Sequence, residues 1–163
     1  MPSEELEDPR KRKTKQGLLR YGPLIVWMGA IFYASSGQFS AANTSRIIGP
    51  LLRWLFPRIS DEQLAFAHFV IRKAAHFTEY AILGWLAARA FTTSSHRDLR
   101  RRWFLVALLL VVVYPLTDEY HQSFVQSRTA SIHDSFIDMT GGLAALVICA
   151  LRRRKREKRK TDG

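Results

Sequence analysis

The sequence predicts an all-α polytopic membrane protein, a four-helix transmembrane bundle. Three observations carry that expectation. Apolar runs recur along the chain, basic residues alternate along the connections between them, and the polar residues of three separate segments fall at one depth. A length of 163 residues fits one domain. The balance of 25 basic against 14 acidic residues, net +11, points to an anionic membrane or a nucleic acid as partner. Mean hydropathy is only -0.10, but that average joins strongly basic tails to an apolar middle and describes neither.

Residues 1–17 form an acidic then basic tail, SEELED followed by RKRKTK. The tail is poor in apolar residues and is expected to be disordered. No small-residue cleavage site follows the next apolar run, so a retained anchor is expected rather than a cleaved signal. The first span covers about Leu18 to Phe39, with Arg20 snorkelling towards the headgroups. Ser40 to His68 reads as a mixed loop. Its stretch IIGPLLRWLF is either a short amphipathic helix in the membrane interface or a packed loop.

Phe69 to Phe91 is the second span, with Arg72, Lys73, His76 and Glu79 in its first half. The spacing of Lys73, His76 and Tyr80 puts them on one helix face, with Glu79 at its edge. Ionisable groups inside a span are costly and face protein or water rather than lipid. After a short basic loop, Trp103 to Gln122 is the third span; its run to Thr117 is the most hydrophobic in the chain, and Pro115 is expected to kink it or end it. The fourth, about Asp134 to Leu151, places Asp134 and Asp138 one turn apart, followed by Gly141 and Gly142, small residues of the kind that let helices approach closely in lipid. The lone cysteine, Cys149, reads as a small hydrophobe in that helix. Residues 152–163 are a polybasic tail, expected to lie against anionic headgroups.

Charge sets the expected orientation. The N-terminal flank carries six basic residues, the loop after the second span four and the C-terminal tail eight. The other two connections hold only Arg46, Arg53, Arg58 and Arg128. This is a positive-inside pattern with both termini in the cytoplasm. A nucleic-acid-binding protein with basic arms predicts no such alternation, so nucleic acid is not an expected partner. In this topology Lys73, His76, Glu79 and Tyr80, then Asp118, Glu119 and Gln122, then Arg128, Ser131, Asp134 and Asp138 all lie towards the extracytoplasmic side. They are expected to form one polar pocket.

Two ordered motifs run through that set. The first is K-x-x-H-F-x-x-Y-x-x-L-G-x-L, carried by Lys73, His76, Phe77, Tyr80, Leu83, Gly84 and Leu86. The second is D-E-x-x-Q-x-F-x-x-x-R-x-x-S-x-x-D, carried by Asp118, Glu119, Gln122, Phe124, Arg128, Ser131 and Asp134, with Gly141 beyond. Together they resemble the VanZ-like family over Phe69 to about Leu151. Asp138 departs from the pattern, which usually has asparagine there, and Ser127 stands where glycine commonly precedes the arginine. The extra carboxylate bears on the pocket's charge.

The resemblance implies a small multi-pass bacterial protein of the cytoplasmic membrane. It also implies a cell-envelope role like that of accessory proteins in resistance to glycopeptide antibiotics, teicoplanin especially. It brings no mechanism. From the residues, Lys73 and Arg128 suit an anionic group, arginine giving the bidentate contact. The carboxylates suit holding those cations or a cationic ligand group, and His76 can change protonation near neutral pH. Structural alternatives stand beside these: Lys73 paired with Glu79 or Asp118 to lock two helices, Asp134 as a helix cap, the glycines as packing contacts, and His121 and His133 as exposed loop residues.

The expected partners are membrane lipids, anionic headgroups at the basic tails, and a cell-envelope precursor or glycopeptide-related ligand. The reading leans to a binder without cofactor, catalytic residue or metal. The alternative is a membrane enzyme acting on a lipid-linked precursor, with His76 and a carboxylate as acid and base. A metal site from Asp118, Glu119, His121 and Asp134 lacks a recognised spacing.

Overall fold

A computed structural model of the chain describes residues 9–35, 41–124 and 132–162. The described residues are helical almost throughout, with helices α1 (Pro9–Ser35), α2 (Ala41–Leu55), α3 (Asp61–Thr92), α4 (Arg97–Arg101), α5 (Trp103–Gln122) and α6 (Ile132–Thr161). Three of these are long and apolar enough to cross a membrane: α1, α5 and α6. This is the architecture of a membrane protein. Helix α3, which holds the expected second span of the four-helix bundle, falls outside that set because Arg72, Lys73, Glu79 and Arg89 lie within its length.

Helix α3 is the hub. It packs against α1, α2, α4, α5 and α6, whereas among the described helices α1 touches only α3 and α5. Contacts between named residues fix the directions. At one end of the bundle the Tyr21 hydroxyl meets Ser94 Oγ at 2.7 Å and Arg20 donates to Ser95 Oγ at 2.5 Å. Midway, Trp27 Nε1 donates to the Glu79 carbonyl at 2.9 Å and the Tyr114 hydroxyl to the Met28 carbonyl at 2.6 Å. At the other end Ser35 Oγ donates to Asp118 Oδ2 at 2.7 Å. Helices α1 and α5 therefore run one way, and α3 and α6 the other.

The closest seam joins α3 to α6, and glycine makes it. A Cβ on Gly84 would lie 2.5 Å from the Gly142 carbonyl oxygen, and one on Gly142 would lie 2.7 Å from Val111 Cβ of α5. A Cβ on Gly141 would overlap the Phe77 carbonyl. The two glycines of α6 thus act as packing contacts, and Gly84 answers them from α3. Around this approach sits the core: Tyr80, Leu83, Leu86 and Ala87 of α3, Ala107 and Val111 of α5, and Leu146 of α6. Cys149 packs at its margin. Facing outward are Leu18, Ile25 and Val26 of α1 and Leu105 and Leu109 of α5, as lipid-facing helices require.

Several boundaries differ from the sequence expectation, each for a physical reason. Helix α1 begins at Pro9, so residues 9–17, expected to be disordered, are helical; lysine, arginine and glutamine are good helix formers. Helix α6 likewise continues through the basic tail, where Arg153 and Glu157 pair at one-turn spacing, 3.1 Å apart. Pro115 does not end α5, which runs on to Gln122. Of the two readings offered for IIGPLLRWLF, the helix is the one found, within α2 for all but the final Phe56. The expected mixed loop shrinks to the Phe56–Ser60 connection, because Ser60 starts α3 with a capping box. Its side chain accepts from the Gln63 backbone N–H at 3.2 Å, and its own backbone N–H donates to Gln63 Oε1 at 3.1 Å.

Candidate functional site

The polar residues of α3 meet those of α6 along one seam. Lys73 Nζ donates to Asp134 Oδ1, and Arg72 stands 3.7 Å from the second oxygen of the same carboxylate. One turn on, His76 Nδ1 lies 3.1 Å from Asp138 Oδ1. A further turn along α3, Tyr80 is buried, its ring 6.4 Å from that of Tyr114 on α5. The shared face read from the spacing of Lys73, His76 and Tyr80 is thus the face turned to α6 and α5.

Helix α5 adds the third component. Asp118 is buried and takes the hydroxyl hydrogen of Ser35. Asp118 of α5 and Asp138 of α6 are both buried. Glu79 is half-buried, and its carbonyl holds Trp27. Glu119 is half-buried beside Asp118 in sequence.

Three carboxylates in this cluster are buried: Asp118, Asp134 and Asp138. Burying a charge is costly unless it is paired. Asp134 is paired with Lys73 and faced by Arg72; Asp138 is paired with His76; Asp118 is hydrogen-bonded by Ser35. Two hydroxyls differ. Tyr80 Oη and Ser135 Oγ are fully enclosed with no hydrogen-bond partner among the described residues. Buried polar atoms nearly always have a partner, and one without it calls for a reason.

Lys73 does not pair with Glu79 or Asp118, the partners considered from sequence, but with Asp134. Asp134 in turn lies in the first turn of α6, with its carboxylate committed to that pair. His121 is not an exposed loop residue: it belongs to α5 and stacks on Phe32 of α1 with ring centroids 4.3 Å apart. Arg128 and Ser131, like Ser127, lie outside the described residues, as do the side chains of Gln122 and His133. Sequence reasoning passed over Ser35, Ser135, Tyr114 and Arg72 as members of the cluster. For Arg72 and Ser135 a signal existed, since each adjoins a motif residue. Among the described residues, no group of three histidine, cysteine or acidic side chains converges as metal ligands. A groove of about 700 Å³ opens elsewhere, at the α2–α3 junction.

An α-helical membrane protein with a buried ionic seam between two of its long helices is therefore the class that fold and site define. The VanZ/LLP1 family model matches residues 21–153, and the chain belongs to that family. No curated protein and no solved structure matches it.

Proposed function

We propose that this family member is a membrane-embedded binder of a lipid headgroup or cell-envelope precursor, and that it does not turn its ligand over. In this reading α1, α3, α5 and α6 all cross the cytoplasmic membrane as a four-helix bundle, with residues 1–17 and 152–163 as basic flanks on the cytoplasmic face. The Lys73–Asp134 end then faces outward. The alternation of basic residues along the connections supports that orientation. Cysteines placed at Ser45 and Thr161 in a Cys149→Ala background should label from opposite sides; labelling from the same side removes the topology and with it the extracytoplasmic site.

The observation that carries the binder reading is the pair of enclosed hydroxyls, Tyr80 Oη and Ser135 Oγ, beside three buried carboxylates. Enclosed as they are, such atoms would gain hydrogen bonds from a polar ligand only if the cluster opens around it, and their missing partners supply the reason to open. Because Lys73 is already neutralised by Asp134, the anion-facing role shifts towards Arg128, whose guanidinium gives a fork that lysine lacks. The acidic excess of the cluster suits hydroxyl or ammonium groups of the same ligand. In a bacterial host the expected phenotype is a contribution to glycopeptide resistance of the teicoplanin type, following the family's envelope context.

Binding of a lipid-linked envelope precursor to purified protein tests this. Arg128→Ala should weaken binding by roughly 10- to 100-fold, the range of a lost hydrogen bond to a charged group, and Arg128→Lys should recover only part. Binding and resistance that survive both substitutions end the clamp. The His76–Asp138 pair favours the second reading, a membrane enzyme, since a carboxylate that orients an imidazole is a general-base arrangement. Consumption of the precursor by purified protein, lost in His76→Ala, would put the enzyme in place of the binder.

A further inference from the structure

The α2–α3 junction carries a feature unrelated to the ionic seam. Helix α3 continues past Lys73 by the twelve residues 61–72, about 18 Å of helix at 1.5 Å per residue. Among the described residues, α5 and α6 have no counterpart to this extension, while α2 packs beside it: His68 Nε2 lies 3.7 Å from where a Cβ on Gly49 would be. The hairpin so formed leaves large side chains open. Trp54 is 76% exposed, Phe56 59%, Phe66 68% and Phe69 57%. A soluble surface does not ordinarily leave so many large apolar residues together in water.

The groove of about 700 Å³ lies at the tip of this hairpin and is lined by Leu55, Phe56, Pro57, Arg58, Ile59 and Gln63. That volume is in the range of ligand pockets. Its walls are apolar apart from one cation and one amide, and no carboxylate lines it. Arg58 has no hydrogen-bond or ion-pair partner among the described residues, whereas the nearby Arg53 is held by Asp61 at 2.7 Å. A free guanidinium over an apolar trough matches an acyl chain that ends in an anion. A second copy of this chain fits less well, because a two-fold contact at the groove would set Arg58 against its own equivalent.

We propose that this groove binds an anionic phospholipid of the leaflet adjoining the Lys73 end of α3, its chain along Leu55, Phe56 and Ile59 and its phosphate on Arg58. The site stands apart from the ionic seam and does not depend on the function proposed for that seam. Trp54, next to Leu55 in sequence, is its reporter, read as the fluorescence difference between the full-length protein and Trp54→Phe. The protein is reconstituted in phosphatidylcholine nanodiscs with rising fractions of phosphatidylglycerol brominated on its acyl chains, and in parallel with brominated phosphatidylcholine.

Trp54 should be quenched at a lower fraction of the anionic lipid than of the zwitterionic one. Arg58→Gln should erase roughly fivefold of that preference, the contribution of one basic residue near an anionic surface. Arg58→Lys should retain most of it, and Lys155→Gln in the tail should leave it unchanged. Ile59→Asp should raise the fraction needed of either lipid. Equal quenching by the two lipids, unaltered by Arg58→Gln, overturns the anionic site. Absence of Trp54 quenching overturns lipid occupancy altogether, and dimers that Ile59→Asp converts to monomers would assign the groove to a second copy instead.

Discussion

The α3–α6 seam and the docking of α1 solve the same problem in opposite ways. At the seam, glycine brings two backbones together and two partly buried pairs, Lys73–Asp134 and His76–Asp138, hold them in one register. Helix α1 keeps its distance, reaches its neighbours through the hydrogen bonds of Tyr21, Trp27 and Ser35, and turns much of its apolar surface outward. In lipid an apolar helix gains little by apolar burial alone, because the acyl chains are as apolar as leucine. Specific pairing must then come from close packing and polar contacts. The seam has both; α1 has chiefly the second. The seam should therefore be the rigid part of the bundle and α1 the more easily detached.

The largest expected effect tests the ionic half of the seam. Asp134→Ala leaves Lys73 and Arg72 without their shared carboxylate, and removing one member of such a pair costs up to about 3–5 kcal/mol where the site is fully buried, less at this partly buried one. The paired replacement Lys73→Met with Asp134→Leu should recover most of that loss, since well-packed apolar residues can take the place of a buried pair. Unfolding in detergent, followed by circular dichroism, measures both. A double variant no more stable than Asp134→Ala would mean that the seam does not depend on this pair.

The second effect tests the packing half. Gly142→Ala puts a methyl group against Val111 of α5, and Gly84→Ala puts one against the backbone of α6. Overpacking of this kind costs about 1–3 kcal/mol. Gly29 of α1 is the control, because a Cβ there meets nothing within 4 Å, so Gly29→Ala should leave stability unchanged or raise it slightly. Equal losses at Gly142 and Gly29 would erase the contrast between the two regions.

A smaller effect is expected in α1 itself. Trp27→Phe removes the hydrogen bond to the Glu79 carbonyl and should cost about 0.5–1.5 kcal/mol. Limited proteolysis of this variant should release fragments from α1 before any from α3 or α6. Cleavage that begins instead in α6 would contradict the order of detachment.

What the sequence revealed and what it hid divide along the same line. Hydropathy and periodicity are local, so the helix from Trp103 to Gln122 was legible, and so was the face that Lys73, His76 and Tyr80 share. Pairing is not local. Which carboxylate meets Lys73 depends on the register of α3 against α6, and that register follows from glycines almost sixty positions apart. Ser35 and Asp118 meet across 83 positions, with nothing in either local pattern to announce it. The long extension of α3 was hidden by its own charges, since Arg72 and Lys73 resemble the end of a span. A local clue was nonetheless available: Ser60 followed three residues later by Gln63 is a capping-box pattern and marks the true start.

The smallest effect on folding should come from the C-terminal tail, and it separates folding from membrane attachment. From Arg152 to Lys160 eight basic residues accompany one glutamate, and every residue of the stretch is exposed. Helix α6 continues through it, yet no side chain there enters the core, and Arg153–Glu157 is an exposed pair of little stabilising value. Truncation after Leu151 should thus leave the unfolding transition in detergent within about 0.5 kcal/mol of the full chain. Basic residues near an anionic surface contribute about 1 kcal/mol each before salt screening. A peptide of residues 152–163 should accordingly bind phosphatidylglycerol vesicles at low ionic strength and release them as salt rises, and should ignore phosphatidylcholine vesicles. If the truncated protein unfolds in detergent, the tail belongs to the bundle after all, and the contrast between a self-sufficient seam and its peripheral attachments is drawn in the wrong place.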